Sequence, residues 1–148
     1  MNILKGYLLI SRDDSKKKTE EVTFGIGTLI LQLQNTKDNE QKGYSQLKLP
    51  IYYIDAFTDN VFQGNPAAVV VIKENLADET MQAIASENNL SETAYVNISS
   101  SPYLIRWFTP TVEVDLCGHA TLASARILFD EYLPGNSSLG ARPNATTL

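Results

Sequence analysis

The chain has 148 residues, of which 43% are hydrophobic, and a formal net charge of −5, values that suit a modest globular fold. Residues 1–48 carry 8 basic and 6 acidic side chains, a balance of +2, whereas residues 49–148 carry 4 and 11, a balance of −7. An acidic body with scattered cations offers no basic surface for phosphates, so we expect no nucleic-acid partner.

Cysteine and histidine occur once each, at Cys117 and His119. A single cysteine excludes an internal disulfide and fits a reducing compartment, so we expect a cytoplasmic protein. A zinc site would need carboxylates to complete its ligand shell, and we therefore predict no metal. No apolar run reaches the roughly 18–20 residues of a membrane span, and no secretory signal is recognisable. We expect no membrane association.

Residues 1–48 read as an N-terminal extension. Apolar runs at Ile3–Ile10 and Val22–Leu33 could form two strands. The stretch Gln34–Lys48 is rich in Asn, Gln, Lys and Asp, cannot bury much surface and is predicted to be a linker. No motif in this segment suggests chemistry.

Residues 49–132 alternate between strand and helix patterns and are predicted to form the folded lobe. β-Branched and apolar residues predict strands at Ile51–Phe57 and Ala67–Lys73, the second covered on both faces. Apolar residues at the i, i+3, i+4 spacing predict a helix over Ala77–Asn89. Three further strand patterns follow: Glu92–Ile98, Tyr103–Phe108 and Val112–Leu116.

A second helix is predicted over His119–Tyr132, and the segment 133–148 is predicted to be an irregular tail. The buried stripe of this helix is predicted to be Leu122, Ala125, Leu128 and Phe129. Strands outnumber helices and most connections are short. This order predicts an α+β fold in which a mixed or largely antiparallel sheet packs on a buried helix.

Glu92 stands at the entry to an otherwise apolar strand. There it is either a solvated carboxylate at the edge of the sheet or a partly desolvated one. Only the partly desolvated carboxylate would be a usable general acid or base. The pattern alone leaves both interpretations open.

The segment Cys117-Gly118-His119 places the lone thiol and the lone imidazole at one predicted helix entrance. Gly118 would allow a sharp turn and a close ligand approach, and the free N–H groups of the helix could bind a substrate carboxylate. The alternative is a small buried cysteine, inert as a nucleophile, beside a packed histidine. Asn65, in a Gly-Asn-Pro turn, could also donate to a ligand, although such turns are common without one.

Several ungapped segments together resemble the N-terminal part of PhzF-like phenazine-biosynthesis proteins, from about Leu47 to about Phe129. They share an order and a spacing with that family. The segments are Ile54-Asp55-Ala56-Phe57-Thr58, Gly64-Asn65-Pro66-Ala67-Ala68-Val69, Asn89-Leu90-Ser91-Glu92-Thr93-Ala94, Arg106-Trp107-Phe108-Thr109-Pro110 and Glu113-Val114-Asp115-Leu116-Cys117-Gly118-His119-Ala120-Thr121.

The resemblance implies one lobe of a diaminopimelate epimerase-like fold, with a sheet wrapped on a central helix. Family members pair two such lobes around a cleft and are isomerases without metal or cofactor. The type member moves a proton within a dihydro-hydroxyanthranilate ring. By resemblance, Glu92 is the acid/base residue. His119, after Gly118, helps to hold a small carboxylate-bearing substrate, and Asn65 lies in a matching motif.

The chain also departs from the family pattern. Residues 1–46 and the stretch after about Glu131 are unmatched, and a second lobe is absent, so we expect a truncated lobe with little or no activity alone. A homodimer or a complementing second lobe could complete the site. Two alternatives remain open: a racemase or epimerase that uses Cys117, suggested by Leu116-Cys117-Gly118-His119, and a non-catalytic remnant that pairs with another chain.

Overall fold

The computed structural model describes residues 3–13, 18–25, 44–60, 63–135 and 141–143. It divides into two compact units, one of Lys5–Ile51 and one of Met1–Leu4 with Tyr52–Leu148. The first unit holds most of strand β1 (Ile3–Asp13), which pairs antiparallel with β2 (Lys18–Gly25). Neither of the helices within the described ranges is long and apolar enough to cross a membrane.

The second unit carries the sheet and both helices. Strand β3 (Tyr44–Ala56) enters it, and the sheet order there is β3-β4-β5-β6-β7, with β8 beside β6. Neighbours β4 and β5 are parallel, as are β6 and β8, while β5–β6 and β6–β7 are antiparallel. The α+β class with a mixed sheet is therefore confirmed. The elements are β4 (Asn65–Ile72), α1 (Asp78–Asn88), β5 (Glu92–Asn97), β6 (Tyr103–Phe108), β7 (Glu113–Val114), α2 (Gly118–Ile127), a π-helical turn (Leu128–Tyr132) and β8 (Ala141–Pro143).

Helix α2 packs on one face of the sheet and forms the centre of the core. Strand β4 is buried on both faces, as its continuous apolar pattern predicts: every residue from Ala67 to Ile72 is at most 4% exposed. The α2 face toward the sheet carries fully buried alanines, Ala120 and Ala123, which allow a close approach to Val69 and Ala94 in the same cluster. These small side chains permit the close burial of the helix.

The apolar stripe predicted for α2 is wrong, because the face that is buried is rotated about the helix axis from the predicted one. Leu122 is 41% exposed, whereas Ile127, outside the predicted stripe, is fully buried. Ala125 and Phe129 are only half-buried, and Leu128 alone of the predicted stripe is buried. Two overlapping apolar stripes satisfy helical periodicity here. Close packing against the sheet selects the stripe with the smaller side chains, which periodicity cannot detect.

Two strand predictions also need correction. The strand predicted over Val112–Leu116 is only the two-residue β7, and Val112 and Leu116 are 55% and 73% exposed. A turn shortens it, because Thr109 Oγ1 accepts the Val112 N–H at 3.0 Å. The tail predicted to be irregular contains β8, whose short pairing to β6 depends on backbone hydrogen bonds and leaves no sequence pattern.

The bounds of β4, α1, β5 and β6 agree with prediction to within two residues. Strand β3 begins at Tyr44, inside the predicted linker, and the helix predicted to reach Tyr132 is α-helical only to Ile127 and continues as the π-helical turn. Helix α1 buries Met81, Ile84 and Ala85 as predicted. Of the two strands predicted in the extension, β1 starts where expected, and most of the second predicted run, 26–33, lies outside the described residues.

Candidate active site

The turn between α1 and β5 sets the direction of Glu92. Helix α1 ends at Asn88 and is capped by Asn89, which takes the left-handed conformation (φ 49°) and donates its N–H to the Ala85 carbonyl. Asn88 Nδ2 then donates to Thr93 Oγ1 at 3.1 Å. Because side chains alternate along a strand, Thr93 on the α1 side places Glu92 on the side of α2.

The entrance of α2 presents Cys117, Gly118 and His119. Cys117 is extended (φ −139°, ψ 113°), and its carbonyl accepts both the N–H and the Oγ1 hydroxyl of Thr121, at 3.0 and 2.6 Å. Gly118 does not lie in the left-handed region, so this turn does not require glycine. A Cβ added there would meet nothing within 4 Å, which leaves open space beside the helix entrance.

Three side chains converge between these two elements, and we call Glu92, Cys117 and His119 the site cluster. Glu92 Oε2 lies 3.2 Å from His119 Nε2. Cys117 Sγ lies 3.3 Å from Nδ1 of the same ring. One potential ligand atom from each of the three residues falls within 4.8 Å of the other two. Strand β5 and helix α2 therefore bring a carboxylate, a thiol and an imidazole to one point.

Two polar atoms of the site cluster are buried without an aligned hydrogen bond. Glu92 Oε2 and His119 Nε2 are shielded from solvent, and within the described part of the chain neither has a hydrogen-bond partner. Their 3.2 Å contact satisfies distance but not alignment. Buried polar groups are nearly always paired, and exceptions concentrate where a ligand or proton is handled. The imidazole is 9% exposed and the carboxylate side chain 19%.

Burial raises the pKa of the Cys117 thiol. The charge of Glu92 and a side-chain hydrogen bond to Glu92 act in the same direction, whereas the backbone N–H groups of Ala120 and His119 oppose it. The thiol is therefore protonated near neutral pH and can donate either to the Glu92 carboxylate or to Nδ1 of His119. A ring that accepts at Nδ1 carries its hydrogen on Nε2, facing Glu92.

Asn65 begins β4 and therefore lies at the same end of the parallel strands as Glu92, which begins β5. Among the described side chains, however, its hydrogen-bond partner is Ser91 and not a member of the site cluster. Ser91 Oγ donates to Asn65 Oδ1 at 3.5 Å and to the Pro66 carbonyl at 3.3 Å. The register pairs Ala67 with Glu92, two residues beyond Asn65. Gly64 is structural, since a Cβ there would come within 2.6 Å of the Ala56 carbonyl oxygen.

Sequence reasoning missed Trp107, whose indole Nε1 is also buried without a hydrogen-bond partner in the described ranges. Trp107 pairs with Ala94 in the β5–β6 register, and Ala94 shares its face of β5 with Glu92. The only signal in the sequence was a lone tryptophan in a strand, which by itself indicates a core residue.

A family model described as PhzC-PhzF, phenazine biosynthesis-like protein, matches residues 54–145. The chain belongs to this family. The match includes every member of the site cluster, as well as Asn65 and Trp107. The resemblance read from the ungapped motifs is thereby confirmed.

Similar proteins place the chain in the same group. A Pseudomonas aeruginosa protein described as an uncharacterized isomerase is 61% identical over 82 residues, 55% of this chain and 32% of that protein. The crystal structure of a PhzF-family protein from Enterococcus faecalis is 50% identical, with a TM-score of 0.62, and the match covers 65% of this chain and 37% of that one. A predicted epimerase from Pseudomonas aeruginosa is 28% identical, with a TM-score of 0.52, over 58% of this chain and 30% of that one. The chain thus spans about a third of the length of these relatives, which fits a single epimerase-like lobe.

Proposed function

We propose that this chain carries half of the active site of a cofactor-independent isomerase, with Glu92 as the acid/base residue. The observation that supports this role is the buried Glu92 Oε2, 3.2 Å from His119 Nε2, with neither atom in an aligned hydrogen bond. A carboxylate with an unused buried oxygen can take up a proton, and the relatives described as isomerases support the reaction class.

The proposed reaction is a proton transfer within a small carboxylate-bearing metabolite. Glu92 removes a proton from a carbon next to an unsaturated group, and the electron pair shifts into that group. The protonated Glu92 then returns the proton to another carbon of the same molecule, so no net oxidation occurs. Positioned acid/base catalysis of this kind contributes about 10²–10⁴-fold in rate.

The α2 entrance is proposed to hold the substrate carboxylate. The space beside Gly118 is open, and the first N–H groups of a helix favour an anion there. His119 Nε2, which carries the ring hydrogen when Cys117 donates to Nδ1, is a further donor next to Glu92. Asn65 is proposed to contact the substrate at the rim of the site, because it lies at the same end of the strands as Glu92.

We further propose that the site requires a second lobe or a second copy of the chain. Acid/base chemistry needs a water-poor cleft, and the chain spans about a third of its relatives. Leu116 and Leu122, near the site cluster in sequence, are 73% and 41% exposed, as expected of surfaces that a partner covers. Size-exclusion chromatography with light scattering tests the pairing. A stable monomer at all concentrations would contradict the proposal that a second copy of the chain completes the site.

The decisive experiment is deuterium incorporation from D₂O into a panel of small unsaturated carboxylates, followed by NMR. The full-length Pseudomonas aeruginosa relative described as an uncharacterized isomerase should exchange a carbon-bound proton. The substitution equivalent to Glu92→Gln in that relative should slow exchange by about 10²–10⁴-fold. This chain alone should show little exchange. Rapid exchange by the Gln variant would refute the assignment.

A cysteine-dependent racemase is the second candidate, because Cys117 Sγ lies 3.3 Å from His119 Nδ1. The raised pKa of the thiol disfavours it as a base. Cys117→Ser in the full-length relative separates the two functions. It should abolish exchange if the thiol carries the proton, and leave most of it if Glu92 does.

A further inference from the structure

We propose that Cys117 is a positioning residue that holds His119 uncharged beside Glu92, because its thiol donates to Nδ1 and leaves the single ring hydrogen on Nε2. The two contacts that support this fall on opposite nitrogens of one imidazole. Cys117 Sγ lies 3.3 Å from Nδ1, and Glu92 Oε2 lies 3.2 Å from Nε2. In a neutral imidazole one nitrogen donates and the other accepts, and the hydrogen bond at one nitrogen fixes the tautomer. The inference rests on the proposed function only in its consequence for Glu92.

The neighbour of each ring nitrogen gives that nitrogen its role. An ionised carboxylate can only accept, so the nitrogen beside Glu92 Oε2 is the one that carries the ring hydrogen. The other nitrogen then accepts, and its neighbour is the Cys117 sulfur. Burial raises the pKa of this thiol, and the charge of Glu92 acts in the same direction, so the thiol keeps its hydrogen and can donate it. A thiolate–imidazolium pair is thereby disfavoured.

The backbone at the α2 entrance holds the thiol against the ring. The Cys117 carbonyl accepts both the N–H and the Oγ1 hydroxyl of Thr121, at 3.0 and 2.6 Å, which fixes the residue that carries the sulfur. Cys117 is 7% exposed and the His119 side chain 9%. Because both side chains are buried, bulk water has little access to Nδ1. Among the described residues, the thiol is therefore the hydrogen-bond partner of this nitrogen.

The charge of the imidazole matters for the carboxylate beside it. An imidazolium 3.2 Å from Glu92 would stabilise the ionised carboxylate and make it a poorer base. A hydrogen bond donated to Nδ1 favours the neutral ring, because a second proton on that nitrogen would have to displace the thiol hydrogen. The thiol therefore preserves the basicity of Glu92 without touching the substrate. This role differs from that of a cysteine that carries the transferred proton.

Ring ¹⁵N NMR of the histidine-labelled chain near neutral pH tests the proposal without substrate. His119 is the only histidine, so each ring nitrogen gives one signal. We expect an accepting Nδ1 and a protonated Nε2 in the native chain and in Cys117→Ser, whose hydroxyl can still donate. Cys117→Ala removes the donor, so the Nδ1 signal should move toward that of a protonated nitrogen as the ring becomes charged. An unchanged Nδ1 signal in the alanine variant, as expected if the thiol donates to Glu92 instead, would overturn the proposal.

Thr121→Val is the matched control. It removes the hydroxyl that bonds to the Cys117 carbonyl but leaves the thiol in place, so the ring signals should keep the native pattern. A change as large as that in Cys117→Ala would show that the ring responds to any disturbance of the α2 entrance, and would also overturn the positioning role. The native chain is a test by itself if the alanine variant does not fold, because a protonated Nδ1 there contradicts the proposal.

Deuterium exchange by the full-length relative distinguishes this role from the proposed function. The substitution equivalent to Cys117→Ala should slow exchange at least several-fold, and serine at the same position should restore most of it. Equal loss with both substitutions would mean that the thiol itself carries the proton, and would overturn the positioning role. The ring signals are measured without substrate, so they can support the tautomer even if Glu92→Gln leaves exchange unchanged and the proposed function fails.

Discussion

Two clusters of charged and polar side chains in the larger unit differ in how well their members are paired. Arg106, with Asp78 and Glu113, forms what we call the charged cluster. Its guanidinium donates to both oxygens of Glu113 at 2.6 Å and to Asp78 at 2.7 Å. These contacts, led by the hydrogen bond to Glu113, raise the pKa of Arg106. In the site cluster, by contrast, Glu92 Oε2 and His119 Nε2 are buried without aligned bonds.

The difference separates a structural role from a functional one. The bidentate pair of Arg106 with Glu113 uses both oxygens of that carboxylate, and Arg106 also links β6 to β7 and to the start of α1. Unsatisfied buried atoms cost free energy of folding, and the chain keeps them at the junction of β5 and α2. Natural sites often carry such a cost where reactivity is needed. Substitutions in the charged cluster should therefore reduce stability, and those in the site cluster should change chemistry instead.

The largest effect on stability is expected for Arg106→Met. It removes hydrogen bonds to two carboxylates and should lower the free energy of unfolding by about 2–3 kcal/mol. Urea denaturation followed by the fluorescence of Trp107, the only tryptophan, measures it. Arg126→Met is the matched control, because its i,i+4 pair with Asp130 is largely exposed and should cost only about 0.3–0.5 kcal/mol. Equal losses would contradict the distinction.

The two glycines near these elements should respond differently to alanine. Gly64→Ala should destabilise by about 1–3 kcal/mol, because its Cβ would come within 2.6 Å of the Ala56 carbonyl oxygen. Gly118→Ala should be neutral or stabilising, since no atom lies within 4 Å and alanine favours a helix. Thermal unfolding of both variants tests this. If Gly118→Ala destabilises the protein as much as Gly64→Ala, the inference that the space at the α2 entrance is open would be wrong.

Glu92→Gln should change the free energy of unfolding by less than about 1 kcal/mol, and an increase is the expected sign. The variant removes a charge whose buried oxygen has no aligned bond. The same urea titration measures it. A loss comparable to that of Arg106→Met would show that Glu92 is a structural residue rather than a functional one.

The smallest effect concerns the lone thiol. Because burial raises the pKa of Cys117, its alkylation by iodoacetamide should be slow near neutral pH and accelerate only above the usual thiol pKa of about 8.5. The folded state then holds a proton that the unfolded chain has lost. This contribution to stability is therefore complete below that pH and disappears as pH rises through the folded-state pKa. Mass spectrometry measures alkylation of this single cysteine. Rapid alkylation at pH 7 would contradict a raised thiol pKa.

Much of the larger unit could be predicted from sequence because its elements carry local patterns. The continuous apolar run of β4 and the i, i+3, i+4 spacing of α1 gave nearly correct bounds. The face of α2 could not be predicted, because Leu122 and Ile127 satisfy periodicity equally and only packing against the sheet distinguishes them. Strand β8 was missed because a pairing of only three residues leaves no periodic pattern in the sequence.

The amino-acid sequence by itself determined the family, the α+β class and the candidates Glu92, Cys117 and His119, since motifs and periodicity are local properties. Only the tertiary structure decided that Glu92 meets the imidazole at 3.2 Å while Asn65 contacts Ser91 instead. Glu92 and His119 are 27 residues apart in sequence. Their distance in space depends on the alternation of β5 and on the close packing of a small-residue helix face, which no local pattern encodes.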